Sequence, residues 1–190
     1  HNFGITTMDK EVEEYFDTLT QKENMDKKVY EKENNKAKTI NYSSKEKTKN
    51  KNRLINSLKE YNLIKNKHIP EVYKINDRNT RLEILAGIID SDGHYNKKSN
   101  QYEITLKSEK LIDDILYLTR SLGFSATKKT RTKKCCNNGK IGTYYQVIFY
   151  GNDINEIPVK LERKRGRDRL INKDPLRYSF KINKLGNDEY

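Results

Sequence analysis

Cysteine is nearly absent. The two present, Cys135 and Cys136, are adjacent. Neighbours in sequence rarely bridge, and two ligands do not make a zinc site. No apolar run approaches the roughly 18–20 residues that cross a bilayer. No charged, apolar and small-residue succession at the N-terminal end reads as a secretory signal. These absences argue against disulfide-stapled, zinc-bound and membrane-spanning classes. They fit a reducing intracellular compartment, nucleus or cytoplasm according to the host. Apolar residues are also scarce, 33% of 190 against 35% charged, so the core must be lean. The 13 tyrosines supply much of its area and carry hydroxyls that need partners.

Positive charge is what the chain has in excess. Lys plus Arg number 39 against 27 Asp plus Glu, a formal net charge of +12. Such a balance suits a polyanionic partner, nucleic acid above all. Composition alone does not separate that reading from a Lys- and Asn-rich nucleotide bias.

Hydrophobic spacing divides the chain into two rounds of elements. Residues 2–7 read as a short strand. Asp9 stands at an N-cap before a helix striped by Val12, Tyr15, Phe16 and Leu19. Residues 21–36 are almost wholly polar and read as a solvated helix extension or a loop. Residues 39–42 read as a strand and 43–51 as a flexible turn. Leu54, Ile55, Leu58, Tyr61 and Leu63 give a helix ending near Asn66, with Pro70 preventing continuation. The second round opens with a helix over 79–91. A hairpin of residues 93–96 and 102–106 comes next, then a helix capped by Ser108 and stopped by Gly123. Residues 124–131 and 143–150 read as two more strands. Ile154, Ile157 and Leu161 suggest a short last helix. Residues 162–169 read as a basic linker and 177–182 as a strand-like segment. The second round is thus helix, two strands, helix, two strands, helix. The first has the same order without its opening helix. An α+β unit of this kind covers one sheet face with helices and leaves the other free.

Leu85-Ala-Gly-Ile-Ile-Asp-Ser-Asp-Gly93 is the segment that carries chemistry. Ala86 and Gly87 lack bulk, and a glycine inside a helix needs a packing reason, here a helix–helix seam. Asp90 and Asp92 flank Ser91 at the helix C-terminus, where the dipole is already negative. A divalent cation would reverse that sign and take the terminal carbonyls as oxygen ligands. The alternative is an Asp-Gly turn pair after a helix.

Residues 85–93 resemble the LAGLIDADG motif of homing endonucleases, with Ile88 for Leu and Ser91 for Ala. The surrounding chain resembles the endonuclease domain of inteins of the yeast vacuolar ATPase type. The likeness runs through Leu63–Pro70, the motif helix (Leu85, Ala86, Gly87, Ile88, Ile89, Asp90, Ser91) and Arg120–Phe124. It extends to Tyr178–Tyr190, similar to the start of a returning splicing-domain half. The resemblance implies the α+β LAGLIDADG homing endonuclease fold: an αββαββα repeat with antiparallel, saddle-shaped sheets, and the first repeat incomplete. It divides the chain into an incomplete first repeat (1–70), a second repeat with the motif (71–162), and a basic linker with the start of the splicing segment (163–190). Asn2–Asp9 is similar to the stretch just downstream of a first motif, and that motif is not in the chain. No His-Asn splice junction or N-terminal splicing cysteine is present either.

By position, the resemblance makes Asp92 the catalytic, metal-binding acid and Gly93 the residue whose carbonyl lies near the metal, Mg²⁺ with Mn²⁺ as a substitute. Asp90 is the second motif acid, more in keeping with a turn or seam hydrogen bond. Lys67 matches a family lysine near the scissile phosphates. Lys164 matches a second, with Lys160 or Arg163 as alternatives, and a phosphate-contacting linker residue as the plainer reading. The implied reaction is metal-assisted hydrolysis of phosphodiesters in double-stranded DNA. The implied partners are a DNA target site and a second motif helix, in cis or in a homodimer, with no membrane. DNA contacts are expected from Lys97, Lys98 and Lys107 and from Lys128, Lys129, Arg131, Lys133 and Lys134. Strand alternation puts about half of the latter on one face. Gln101, Glu103, Thr105, Tyr144 and Gln146 are of base-reading type. A DNA-binding remnant without cleavage and an RNA-binding, maturase-like module are the competing readings.

Overall fold

A computed structural model of the chain describes residues 3–31, 36–45, 52–134, 139, 141–168 and 180–183. Two antiparallel sheets carry the architecture, one from each round, with strand orders β1-β3-β2 and β4-β5-β7-β6.

The first sheet is built from β1 (Phe3–Thr7), β2 (Met25–Tyr30) and β3 (Lys38–Ser44), with α1 (Lys10–Lys22) packed on it. Central β3 buries Ile40 and Tyr42 completely. Phe16 of α1 meets the rings of Phe3 and Tyr42 at centroid distances of 5.5 and 6.3 Å. The tyrosine hydroxyl donates to Asp17 Oδ1 at 2.9 Å. Burial and that carboxylate together hold its pKa above the usual phenol range. β2 replaces the helix extension or loop expected over 21–36. Its sequence, MDKKVY, has little apolar periodicity. Pairing with β3 over Met25↔Ser44 to Tyr30↔Thr39 sets its conformation instead. Lys27 then reaches Glu13 and Asp17 of α1, each at 2.7 Å.

Helix α2 (Arg53–Glu60) stops well short of Asn66. Asn62 sits at φ +52°, a left-handed conformation that cannot continue a helix. Leu63 N–H closes the end on the Leu58 carbonyl at 2.7 Å. A single-turn helix, α3 (Glu71–Lys74), comes next with Pro70 at its start, where a missing N–H costs nothing.

The second unit comprises α4 (Arg78–Asp92), β4 (Gly93–Asn96), β5 (Gln101–Leu106), α5 (Glu109–Ser121), β6 (Ser125–Lys134) and β7 (Ile141–Tyr150). Asp77 caps α4 by accepting from Thr80 N–H at 2.9 Å, and Ser108 caps α5 through Leu111 N–H. Both helices lie on one sheet face. Leu82, Leu85 and Ile89 of α4 and Ile112, Ile115 and Leu118 of α5 meet Tyr102, Ile104, Val147 and Phe149 of the sheet. Tyr95, Tyr102, Phe149 and Phe124 form a chain of rings 5.2–6.2 Å apart. The two sheets share a topology. Strand, helix, hairpin in the order β1-β3-β2 repeats as β5-β7-β6, and β4 is the extra edge strand of the second.

The end of the chain departs from expectation. In place of a last helix there are two 3₁₀ turns, Ile154–Glu156 and Glu162–Lys164. Ile154, Ile157 and Leu161 are buried, so the apolar spacing marks a segment strapped across the core. Residues 163–167, read from the sequence as linker, are docked: Tyr102 hydroxyl donates to the Lys164 carbonyl at 2.7 Å and Asn100 to the Arg167 carbonyl at 2.8 Å. Of the strand expected over 177–182, only 180–182 are described, and these pair with nothing among the described residues. Cys135, Cys136, Asn137 and Asn138 lie outside the described residues.

Candidate active site and nucleic-acid interface

Helix α4 delivers the motif. Leu85, Ala86 and Ile89 face the core, while Gly87 faces away from it. A Cβ at Gly87 would meet nothing within 4 Å. The expected helix–helix seam is therefore not formed on this face. Gly87 opens onto a cleft of about 820 Å³ between α4 and the stretch from β1 into α1. Thr6, Thr7, Asp9 and Tyr15 line one wall, and Asp90, Ser91 and Asp92 the other.

The two motif acids do different things. Asp90 accepts the backbone N–H groups of Lys160 (2.9 Å) and Leu161 (3.1 Å), which fastens the returning strap to the end of α4. Asp92 is exposed, and Ser91 Oγ lies 3.2 Å from its Oδ2. Gly93 comes next at φ −81° as the first residue of β4. A Cβ there would stand 2.7 Å from Ile89 Cα and 2.9 Å from its carbonyl oxygen, so only glycine lets the chain turn so closely off the helix.

Lys164, matched by position to a family lysine and otherwise read as a phosphate-contacting linker residue, lies inside the fold. Its side chain is buried, 7% exposed. Nζ donates to the Ile89 carbonyl at 2.7 Å and to the Asp90 carbonyl at 2.8 Å. The terminal carbonyls that a metal was expected to take are thus held by an ammonium, which complements the dipole of α4. Burial, then repulsion from Arg163, pulls its pKa below the ordinary lysine value. The two alternative cations are engaged elsewhere. Arg163 forms a fork with Asp9 (2.7 and 3.2 Å), and Lys160 Nζ lies 4.6 Å from the Tyr15 ring centroid. Both contacts tie the strap to the first unit across the rim of the cleft.

Lys67 is exposed and lines the same cleft as Asp92. Its position is set two residues later. Buried Ile69 donates its N–H to Asp114 Oδ2 at 2.9 Å, and Lys74 Nζ holds the other oxygen at 2.9 Å. Nothing in the sequence marks Asp114, because a carboxylate in an apolar helix face reads as a polar interruption.

Among the described residues no group of three or more His, Cys, Asp or Glu gathers as a metal cage. Asp92 and the nearby backbone supply hard oxygen donors only. That set fits Mg²⁺, which keeps several waters and completes its shell on phosphate, and does not fit a thiolate- or imidazole-seeking metal.

Strand parity sorts the cations. The face of the second sheet away from α4 and α5 carries Lys129, Arg131 and Lys133 of β6, with Lys107 just after β5 and its Nζ 5.7 Å from the Tyr144 ring centroid. Lys128 lies on the helix side, bound to Glu109 (2.7 Å) and Asp113 (2.6 Å) of α5. Both bonds raise its pKa. Lys134 shares that parity. Lys97 and Lys98 are exposed on the β4–β5 turn, with Arg167 donating to the Lys97 carbonyl at 2.6 Å. A row of polar side chains crosses the open face. Glu103 accepts from Asn96 (3.3 Å), Gln101 (3.1 Å) and Gln146 (3.3 Å), and Gln146 accepts from Arg131 (2.9 Å).

Comparison with known proteins gives matches that span both the motif helix and the sheet. Residues 68–158 match the homing endonuclease profile. This segment is similar to the homing endonucleases. The homothallic switching endonuclease of Saccharomyces cerevisiae is 30% identical over 137 residues, covering 60% of this chain and 22% of its own length. The chain therefore spans about a fifth of that curated relative. Mesophilic variants of the homing endonuclease I-DmoI share the fold with a TM-score of 0.52 at 15% identity, over 80% of this chain and 74% of theirs. I-DmoI in complex with DNA and Ca gives 0.51 at 13% identity, over 82% and 74%. The matched segment begins at His68, next to Lys67, and runs through the motif helix and β7 to Pro158 at the start of the strap. No helix of the described residues is long and apolar enough to cross a membrane.

Proposed function

We propose that the chain is a site-specific DNA endonuclease that hydrolyses phosphodiesters in double-stranded DNA with a divalent metal, Mg²⁺ or Mn²⁺. The observation that carries this reading is the convergence of Asp92 and Lys67 on one cleft, with Asp92 directly preceding β4, the edge strand of the basic second sheet. Asp92 and the Gly93 carbonyl are the residues that would hold the metal. Bound there, it would supply Lewis-acid polarisation of the phosphate and steady the leaving oxygen. Lys67 places a mobile positive charge where the phosphate gathers negative charge in the transition state. Lys164 keeps the end of α4 closed and fixes the direction in which Asp92 leaves it. Asp90 anchors the strap and has no part in the chemistry.

The cleft beside Gly87 takes a second motif helix, from elsewhere in a longer chain or from a second copy, and that helix would bring the acid for the other strand. Bare Gly87 supports this, since a helix glycine without a neighbour costs propensity for no gain. The likeness of Tyr178–Tyr190 to a splicing-domain segment supports an intein origin, and with it an intracellular life in a mobile genetic element.

The test is cutting of a supercoiled plasmid library with randomised inserts, with Mg²⁺, with Mn²⁺ or with EDTA, by wild type and Asp92→Asn. Metal-dependent nicks or linear product from wild type, lost in the variant, bear the proposal out. Salt-sensitive binding without any cutting leaves a DNA-binding remnant and sinks the enzyme reading.

A further inference from the structure

We infer that Arg131 reads a guanine in the major groove of duplex DNA, aimed by a relay through Gln146 to Glu103. This rests on the reading that the open sheet face receives DNA, and it assigns what one point of that face recognises.

Gln146 is a candidate base reader by residue type, and its surroundings remove it from that role. It is 7% exposed. Its Oε1 accepts from Arg131 Nε at 2.9 Å and its Nε2 donates to Glu103 Oε2 at 3.3 Å. A flipped amide would set N–H against guanidinium and carbonyl against carboxylate, so the two neighbours fix its orientation. Glu103 is itself held by the Gln101 and Asn96 amides. Carboxylate on β5, amide on β7 and guanidinium on β6 form one row, each side chain aimed by the last.

The row ends at Arg131, which is exposed. Among the described residues only its Nε is bonded. The two terminal nitrogens bond nothing among the described residues and form the fork of an exposed side chain. A pinned, planar fork with two parallel donors matches O6 and N7 of guanine. The lysines on either side of it in parity, Lys129 and Lys133, are point charges with no ion pair among the described residues and suit phosphates. Glu103 favours the same division. Its carboxylate, one strand beyond Gln146, adds negative charge to this part of the face, which disfavours a phosphate there more than a neutral base edge. The ordering cost of the guanidinium is met before DNA arrives, so its contact discriminates rather than merely attracts.

The experiment selects bound duplexes from a fully randomised DNA library in EDTA, using the whole chain as wild type, Arg131→Lys, Arg131→Ala and Gln146→Leu. Thermal unfolding checks that each variant is folded. Wild type is expected to enrich a G·C pair at one position. All three variants should lose that preference about tenfold or more while preferences elsewhere persist. Arg131→Lys keeps the charge and should keep overall affinity. Gln146→Leu should act although residue 146 touches no DNA. An even loss of affinity at every position in Arg131→Ala, or an intact guanine preference in Gln146→Leu, overturns the inference and leaves the endonuclease reading standing. Failure of wild type to bind any duplex overturns both.

Discussion

Lys164 does at the end of α4 what a helix C-terminus asks of a cation, but from inside the protein. A neutral amine retains two N–H donors, enough for the Ile89 and Asp90 carbonyls. The charge is therefore the expensive part of the arrangement, and burial depresses the folded pKa below 10.5. Between the lowered folded value and 10.5, the unfolded chain binds more protons than the folded one. Stability from this group thus rises with pH across that window. Lys27, Lys74 and Lys128 are raised by their carboxylate partners, so their contributions are lost only above 10.5 and do not cancel the effect. Denaturant unfolding of wild type and Lys164→Met from neutral pH up to 10.5 should show the wild type gaining on the variant. A constant difference would contradict a buried, charged Lys164. Lys164→Ala should cost about 1–3 kcal/mol, the penalty of two unpaired carbonyls. The motif and both of its acids were legible from the residues, because a nine-residue pattern is specific. The resemblance also set Asp92 for the metal apart from Asp90 for a turn or seam hydrogen bond; which groups Asp90 and Lys164 hold was not legible, because those partners lie about 70 residues away in sequence.

At the scale of elements, spacing identified α1, α4, α5 and the strands around them. It failed where tertiary contact decided the outcome. β2 is a strand because β3 pairs with it and α1 holds Lys27, not because MDKKVY favours one. The apolar triplet Ile154, Ile157, Leu161 mimics a helix period but marks three anchors of a strap. The small-residue face of α4 was legible, but its seam is not closed in this chain. That gives a prediction with opposite signs. Gly87→Ala should stabilise the isolated chain by about 0.5–1 kcal/mol through helix propensity alone. The same methyl should weaken packing of a second motif helix against α4. Thermal unfolding of the chain, with sedimentation in the presence of a synthetic peptide of residues 78–93, reads both. A Gly87→Ala that destabilises the chain alone would mean that the cleft is already filled.

Across the whole molecule, the +12 charge is not spread evenly over function. Half of the basic strand β6 faces α5, where Lys128 serves the fold, and half faces the open side, where Lys129 and Lys133 form no ion pair among the described residues. Alternation made that half-and-half division legible, but only the ion pairs say which half. Lys129→Ala should reduce the slope of log K against log salt by about 0.9, the value of one phosphate contact. Lys128→Ala should leave the slope unchanged and lower stability instead. Equal slope changes in the two variants would contradict the assignment of faces.

The central claim is that DNA held by the sheet is cut at Asp92. It is tested most directly by single-turnover cutting of a library-selected duplex, saturated with protein in EDTA and started with Mg²⁺, comparing Asp92→Asn with Lys129→Ala. The account predicts that Asp92→Asn binds as wild type does and does not cut. Lys129→Ala should bind more weakly but cut at the wild-type rate once saturated. Undiminished cutting by bound Asp92→Asn would contradict it.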